Sequence, residues 1–251
     1  GDADRRDVSF LNEDLYFVGG TSSLEEFGFL ERIKVDTRAS TFSLDNQVRA
    51  SVGKYVATSV TTTDNQVFVT TGDAMDQGGG LYQLNSSLGQ ENYHGIQDAR
   101  WVTHMDKKIY VASGIPDKIG IWNPSNLSKE NEFDHNGFTK SGAKMTIDVA
   151  DDLVFVAGGT EGILIYDLEG HFVAKHTFGD ESFTNAVTAE NGKVFISNGL
   201  GGVYVATYDP FLNIIGKLDL DKEESVNHIE LHQGMLYVAS GIGGVKMIEV
   251  N

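Results

Sequence analysis

The fifteen residues Leu153-Val-Phe-Val-Ala-Gly-Gly-Thr-Glu-Gly-Ile-Leu-Ile-Tyr-Asp167 hold two short apolar runs separated by a glycine-rich turn. Both runs are rich in β-branched and aromatic residues and too short for helices, so they read as two buried strands joined tightly. The first run, closing on glycine, occurs six times: Leu15–Gly20, Val67–Gly72, Ile109–Gly114, Val154–Gly159, Val194–Gly199 and Leu236–Gly241. The closing glycines are 52, 42, 45, 40 and 42 residues apart, so the repeating unit is about forty residues long.

A second pattern stands in register with the first. Seven residues before each run comes Val8, Val60, Val102, Ile147, Val187 or Ile229, followed by Ser9, Thr61, Thr103, Asp148, Thr188 or Glu230. A β-branched apolar residue next to a polar one, six times over, is the period-two signature of a strand with two different faces. After the glycine a third strand begins, as in Gly202-Val-Tyr-Val-Ala206 and Gly244-Val-Lys-Met-Ile248, and a more polar fourth follows, as in His171–Phe178. Four strands per unit predict an all-β fold, a six-bladed β-propeller of four-stranded blades occupying residues 1–251 as a single domain of six repeats. Helical repeats would need apolar residues at i, i+3 and i+4, and leucine-rich or β-helical units are shorter. A seven-bladed ring is the alternative if residues upstream are missing. The valine and isoleucine column is expected to be buried between blades, and the polar column (Ser9, Thr61, Thr103, Asp148, Thr188, Glu230) to line a central channel.

Three units resemble the LVIVD repeat: Leu153–Asp167, Met235-Leu-Tyr-Val-Ala-Ser-Gly-Ile-Gly-Gly-Val-Lys-Met-Ile-Glu249 and Lys193-Val-Phe-Ile-Ser-Asn-Gly-Leu-Gly-Gly-Val-Tyr-Val205. That family comprises propellers of bacterial and archaeal cell-surface proteins and lipoproteins. The resemblance implies a propeller and an extracytoplasmic location, in the periplasm or at the cell surface, with any lipid anchor carried upstream of Gly1. It implies no catalytic residue. The first unit departs most, with Thr21-Ser-Ser-Leu-Glu-Glu-Phe27 in place of the short glycine turn.

Charge excludes some partners. With 36 acidic and 19 basic residues the net charge is −17, the opposite of the basic footprint that nucleic acid needs. No apolar run reaches the ~18–20 residues of a membrane-spanning helix, so no membrane insertion by this chain is expected. There are no cysteines, hence no disulfides and no thiolate chemistry.

In a propeller the loops entering the first strands and those joining second to third strands share one face. Arg100, Trp101, Asn185, Asn227 and His228 begin first strands and are the candidate ligand-binding residues there, offering donors, a stacking surface and an imidazole. The alternative is that they complete hydrogen bonds between blades. Asp73, Asp76 and Asp117 lie in turns; Ca²⁺ would be the cofactor if they acted as oxygen ligands, and none is needed if they are exposed turns. Asp148 and Glu230 are the only candidate metal ligands in the channel column. His228 and His232 are four apart, about 13 Å along a strand, too far for one metal.

The function expected is a non-enzymatic binding or scaffold propeller, monomeric, that takes a protein or glycan-like ligand on its loop face. The alternative is a metal-dependent, lactonase- or lyase-like hydrolase with a divalent ion in the channel. The column itself is open to test. Val187→Asp places a charge in a packed layer and is expected to cost several kcal/mol; an unchanged melting temperature would mean the column is misassigned.

Overall fold

The computed structural model describes residues 3–21, 28–36, 41–42, 47–63, 65–73, 78–135, 144–179, 183–221 and 223–250. They form six antiparallel sheets, and the only helical element among the described residues is a 3-10 turn at Gly241–Gly243. The first sheet contains β1 (Ala3–Leu11), β2 (Asp14–Thr21) and β3 (Gly28–Asp36), with β4 (Thr41–Phe42) and β5 (Val48–Ser51) both paired to β3. The second is β6 (Ala57–Thr62), β7 (Gln66–Asp73), β8 (Gly78–Asn85) and β9 (Gln90–Gly95). The third is β10 (Ala99–Met105), β11 (Lys108–Gly114), β12 (Asp117–Trp122) and β13 (Lys129–Asp134).

Next come β14 (Ile147–Ala150), β15 (Leu153–Ala157), β16 (Ile163–Asp167) and β17 (Phe172–His176). The fifth sheet is β18 (Ala186–Glu190), β19 (Lys193–Ser197), β20 (Val203–Thr207) and β21 (Asn213–Leu218). The sixth is β22 (His228–His232), β23 (Met235–Ala239) and β24 (Val245–Glu249), three strands among the described residues. In five sheets the strands pair in chain order, and in the first only β5 departs by pairing with β3; the six sheets are the blades of a six-bladed β-propeller. By internal packing the chain divides into Gly1–Glu132 and Phe133–Asn251.

Each sheet has an A face, bearing the valine or isoleucine column, and a B face, bearing the polar column beside it. Inside each unit the B face of one sheet packs on the A face of the next. Tyr16, Val18 and Leu30 of the first sheet meet Val60, Val67 and Val69 of the second, and Phe68 and Leu81 of the second meet Val102, Ile109 and Val111 of the third. In the other unit Phe155, Ile163 and Ile165 meet Val187, Val194 and Ile196, and Phe195 and Val203 meet Ile229, Leu236 and Val238. Strands covered on both faces must be apolar throughout, which accounts for runs such as Val194-Phe-Ile196.

Five members of the predicted column, Val60, Val102, Ile147, Val187 and Ile229, are buried as expected. Val8 is not: it is 49% exposed. In its own unit the first sheet packs only its B face on a neighbouring sheet, and Val8 stands on the other face.

The innermost strand of each sheet has one edge with no strand beyond it, and its inward amides need partners from elsewhere. Side chains of the preceding sheet supply them. Asp7 Oδ2 accepts from the amide of Val60 (2.8 Å), Ser59 Oγ from Val102 (3.2 Å) and Thr146 Oγ1 from Val187 (3.1 Å). Two residues on, Asp148 Oδ2 accepts from Ala189 (2.8 Å) and Thr188 Oγ1 from Leu231 (3.4 Å). Residues at equivalent positions of the repeat thus make the first bond at three junctions and the second at two.

This arrangement gives a test. Thr146→Val keeps shape but leaves the buried Val187 amide without its acceptor, and should lower unfolding free energy by about 1–3 kcal/mol in urea denaturation. Thr146→Ser, which keeps the hydroxyl, should retain most of it.

Candidate functional site

Two of the residues expected at the loop-face mouth, Arg100 and Asn185, make hydrogen bonds to neighbouring groups. Arg100 is buried on β10 and donates through Nε and Nη2 to Asp98 Oδ2 at 2.8 and 2.6 Å. Its guanidinium lies over Gly114, where a Cβ would come within 2.4 Å of Nε, so the closing glycine of that run is required by close approach. Trp101, beside it, is half-buried. In the second unit Asn185 Nδ2 donates to the carbonyl of Val226 (2.9 Å), as Thr58 Oγ1 donates to that of Ala99 (2.8 Å) at the equivalent junction of the first. The Nδ2 of Asn227 lies against Gly241, whose φ of 57° is left-handed and favours glycine. Arg100 and Trp101 belong to one unit and Asn185, Asn227 and His228 to the other.

In the polar column, Ser9 Oγ bonds Thr62 Oγ1 (2.8 Å) and Thr61 Oγ1 bonds His104 Nδ1 (3.1 Å), both on the following sheet. Thr103 is half-buried and Glu230 exposed. Asp148 has both carboxylate oxygens engaged, Oδ1 by the amide of Val149 and Oδ2 by that of Ala189. Burial pushes its pKa up from 3.8 to about 6, against the hydrogen bonds from Ala189, Val149 and Thr188. His228 moves the other way, from 6.5 to about 4, chiefly by burial, with the Lys144 ammonium adding to it. Its Nε2 is 3.9 Å from Glu230 Oε2.

Of the turn aspartates, Asp76 lies outside the described residues, Asp73 is described by its backbone alone, and Asp117 begins β12. Asp167, Glu169 and His171 bring one ligand atom each within 4.8 Å of one another, but the Asp167 carboxylate accepts the amides of Glu169 and His171 and bonds the His171 ring. That is the bonding of an ordered turn between β16 and β17.

A cleft of about 250 Å³ lies in the first unit, between β9 of the second sheet and β12 and β13 of the third. Its origin is one missing side chain. Cross-strand register puts Gly120 opposite Val111, the place taken in other sheets by Tyr82, Leu164 and Tyr204. With only hydrogen at Gly120 the A face is hollow there, and the indole nitrogen of Trp122 borders the gap: a Cβ at Gly120 would come within 2.7 Å of Nε1. Trp122 is 2% exposed and its Nε1 has no hydrogen-bond partner. A buried donor without an acceptor is costly, about 1–3 kcal/mol, and such groups are rare in folded proteins.

The rim of the cleft is polar and carries more positive than negative charge. The His94 ring packs on Trp122 with centroids 4.5 Å apart, and Lys129 Nζ stands 5.7 Å from the Trp122 centroid. Lys129 and Lys118 both reach Glu132, at 2.5 and 3.0 Å. The Lys129 hydrogen bond holds the Glu132 carboxyl below the usual range against its burial, and Lys118 adds to this. Two ammonium groups thus share one carboxylate. The sequence reading overlooked this site; the signal was the glycine that breaks the third-strand column, visible once the third strands are aligned.

No known protein family and no curated protein matches the chain. Among solved structures it is similar to a computationally designed protein, Ika8, with a TM-score of 0.66 and 12% identity over 98% of this chain and 71% of that one. A second designed protein, Ika4, matches with a TM-score of 0.50 and 12% identity, over 61% of this chain and 91% of that one. At such identity the likeness is of fold alone.

The two shifted groups give opposite pH responses. With Asp148 at about 6 when folded, the native state holds the extra proton between pH ~4 and ~6, so its contribution is full below ~4 and is lost as pH rises through 6. With His228 at about 4, the unfolded state holds the extra proton between ~4 and 6.5, so its contribution is full above 6.5 and is lost as pH falls through 4. Asp148→Asn should therefore show stability rising with pH across 4.5–6, and His228→Gln stability falling, both read by urea unfolding at several pH values.

Proposed function

We propose that this chain is a non-enzymatic, extracytoplasmic binding propeller whose ligand is glycan-like and seats in the Gly120–Trp122 cleft. The observation that carries the reading is the buried indole N–H of Trp122 with no acceptor, at the edge of a hollow left by Gly120. A hydroxyl or carboxylate oxygen of a sugar would complete that bond. The two lysines sharing Glu132 favour a sugar bearing a carboxylate over a neutral one. The extracytoplasmic location rests on the motif likeness to the LVIVD repeat. A metal-dependent hydrolase draws less support, because amide hydrogens already occupy both oxygens of Asp148.

The test compares D-glucuronate with D-glucose by thermal shift and intrinsic tryptophan fluorescence. Glucuronate should raise the melting temperature more than glucose. Trp122→Phe, which removes the N–H and keeps an aromatic ring, should weaken binding about tenfold, corresponding to one lost hydrogen bond. Gly120→Leu should abolish binding by filling the hollow. Undiminished affinity in both variants would place the ligand elsewhere.

A further inference from the structure

The Gly120–Trp122 cleft, which lies wholly within the first unit, changes character along its depth. The most buried residues of its wall are Val111, opposite Gly120 across the strand pair, and Trp122. Ile96, half-buried, packs against the same core and lines the cleft with them. The indole N–H of Trp122 borders this apolar recess. Ser113 also lines it, but its hydroxyl gives its hydrogen to the Pro116 carbonyl at 2.9 Å. Charge stands at the rim, where Lys118 and Lys129 share Glu132.

An apolar recess with an unmatched donor selects among the oxygens a sugar can offer. A hydroxyl that accepted from the indole would carry its own hydrogen into the recess, where that hydrogen would need an acceptor. A carboxylate there would lose its hydration at a distance from the two ammonium groups. An amide carbonyl accepts only, and a methyl attached to it would lie against Val111 and Ile96. Resting on the glycan reading of this cleft, we infer that its ligand is a 2-acetamido sugar that also bears a carboxylate. The acetyl oxygen takes the Trp122 N–H, the acetyl methyl fills the space over Gly120, and the carboxylate meets Lys118 and Lys129. Two substituents of one sugar are thus recognised by separate means, one directional and apolar, the other electrostatic and open to screening by salt.

The experiment follows indole N–H signals in proton–nitrogen correlation spectra. The chain has two tryptophans, and the Trp122 signal is identified by its loss in Trp122→Phe. Titrations with D-glucose, N-acetyl-D-glucosamine, D-glucuronate and N-acetylmuramate vary the acetyl and carboxylate groups separately and together. N-acetylglucosamine should bind at least about fourfold tighter than glucose, the worth of one buried methyl group, and should move the Trp122 signal downfield as its N–H gains an acceptor. N-acetylmuramate should bind tightest, and added salt should erode its advantage over N-acetylglucosamine. Ile96→Thr should shrink the gain from the acetyl group, with circular dichroism checking that the variant stays folded. Glucuronate binding tighter than glucose with no gain from the acetyl group overturns the inference and leaves the glycan reading standing. So does a Trp122 signal that N-acetylglucosamine leaves unmoved while glucuronate shifts it. A chain that binds none of the four sugars overturns both.

Discussion

The innermost strand of every sheet has backbone amides on an edge that no further strand covers, and the rest of the structure depends on how those amides are satisfied. The answer is a set of short polar side chains, reaching across from the preceding sheet. Asp7, Ser59 and Thr146 take the first amide of the next strand, and Asp148 and Thr188 take the amide two residues on. Because those acceptors must sit one residue to either side of the buried valine, the polar–apolar–polar pattern of the first strand follows from hydrogen bonding and packing together. The apolar residue packs the A face, and its polar neighbours join the sheet to its successor.

That constraint explains what was legible. Five of the six column members, Val60, Val102, Ile147, Val187 and Ile229, could be read directly as buried, since burial leaves little choice of residue. So could the closing glycines, though the reason at Gly114 is the Arg100 guanidinium crossing it. The role of the polar column was harder to see. Asp148 and Thr188 stand in the column expected to line a channel, and what the spacing did not show is that their oxygens accept amides of the next sheet. Val8 shares the pattern and not the environment, because pattern records which face a residue occupies and says nothing about whether a sheet lies on it. Arg100 and Asn185 drew attention as unusual polar residues at strand starts; their partners, Asp98 and the Val226 carbonyl, are set by tertiary geometry that spacing alone does not reveal.

The cleft shows how a repeat architecture makes a site by subtraction. Where Tyr82 and Tyr204 fill the space between sheets, Gly120 leaves it open, and the hollow inherits walls set by the packing around it. Nothing else in the third sheet needs to depart from the pattern for a buried donor to become available, and Trp122 supplies that donor from a strand that also contributes to the core. A ligand there would meet little cost of reorganisation, because the ring that offers the hydrogen is held by its neighbours before binding.

The bonds between sheets differ from those within them in one respect that solvent exchange can read. The amides of Val60, Val102, Val187, Ala189 and Leu231 are held by side chains of another sheet, so strand pairing does not protect them. Each is shielded only while its two sheets stay together. Deuterium uptake at these five positions therefore follows the parting of individual junctions, whereas uptake at ladder amides follows the loss of a sheet. The fold carries its own set of internal reporters, spread over four junctions, that can distinguish a propeller loosening between blades from one unravelling within them.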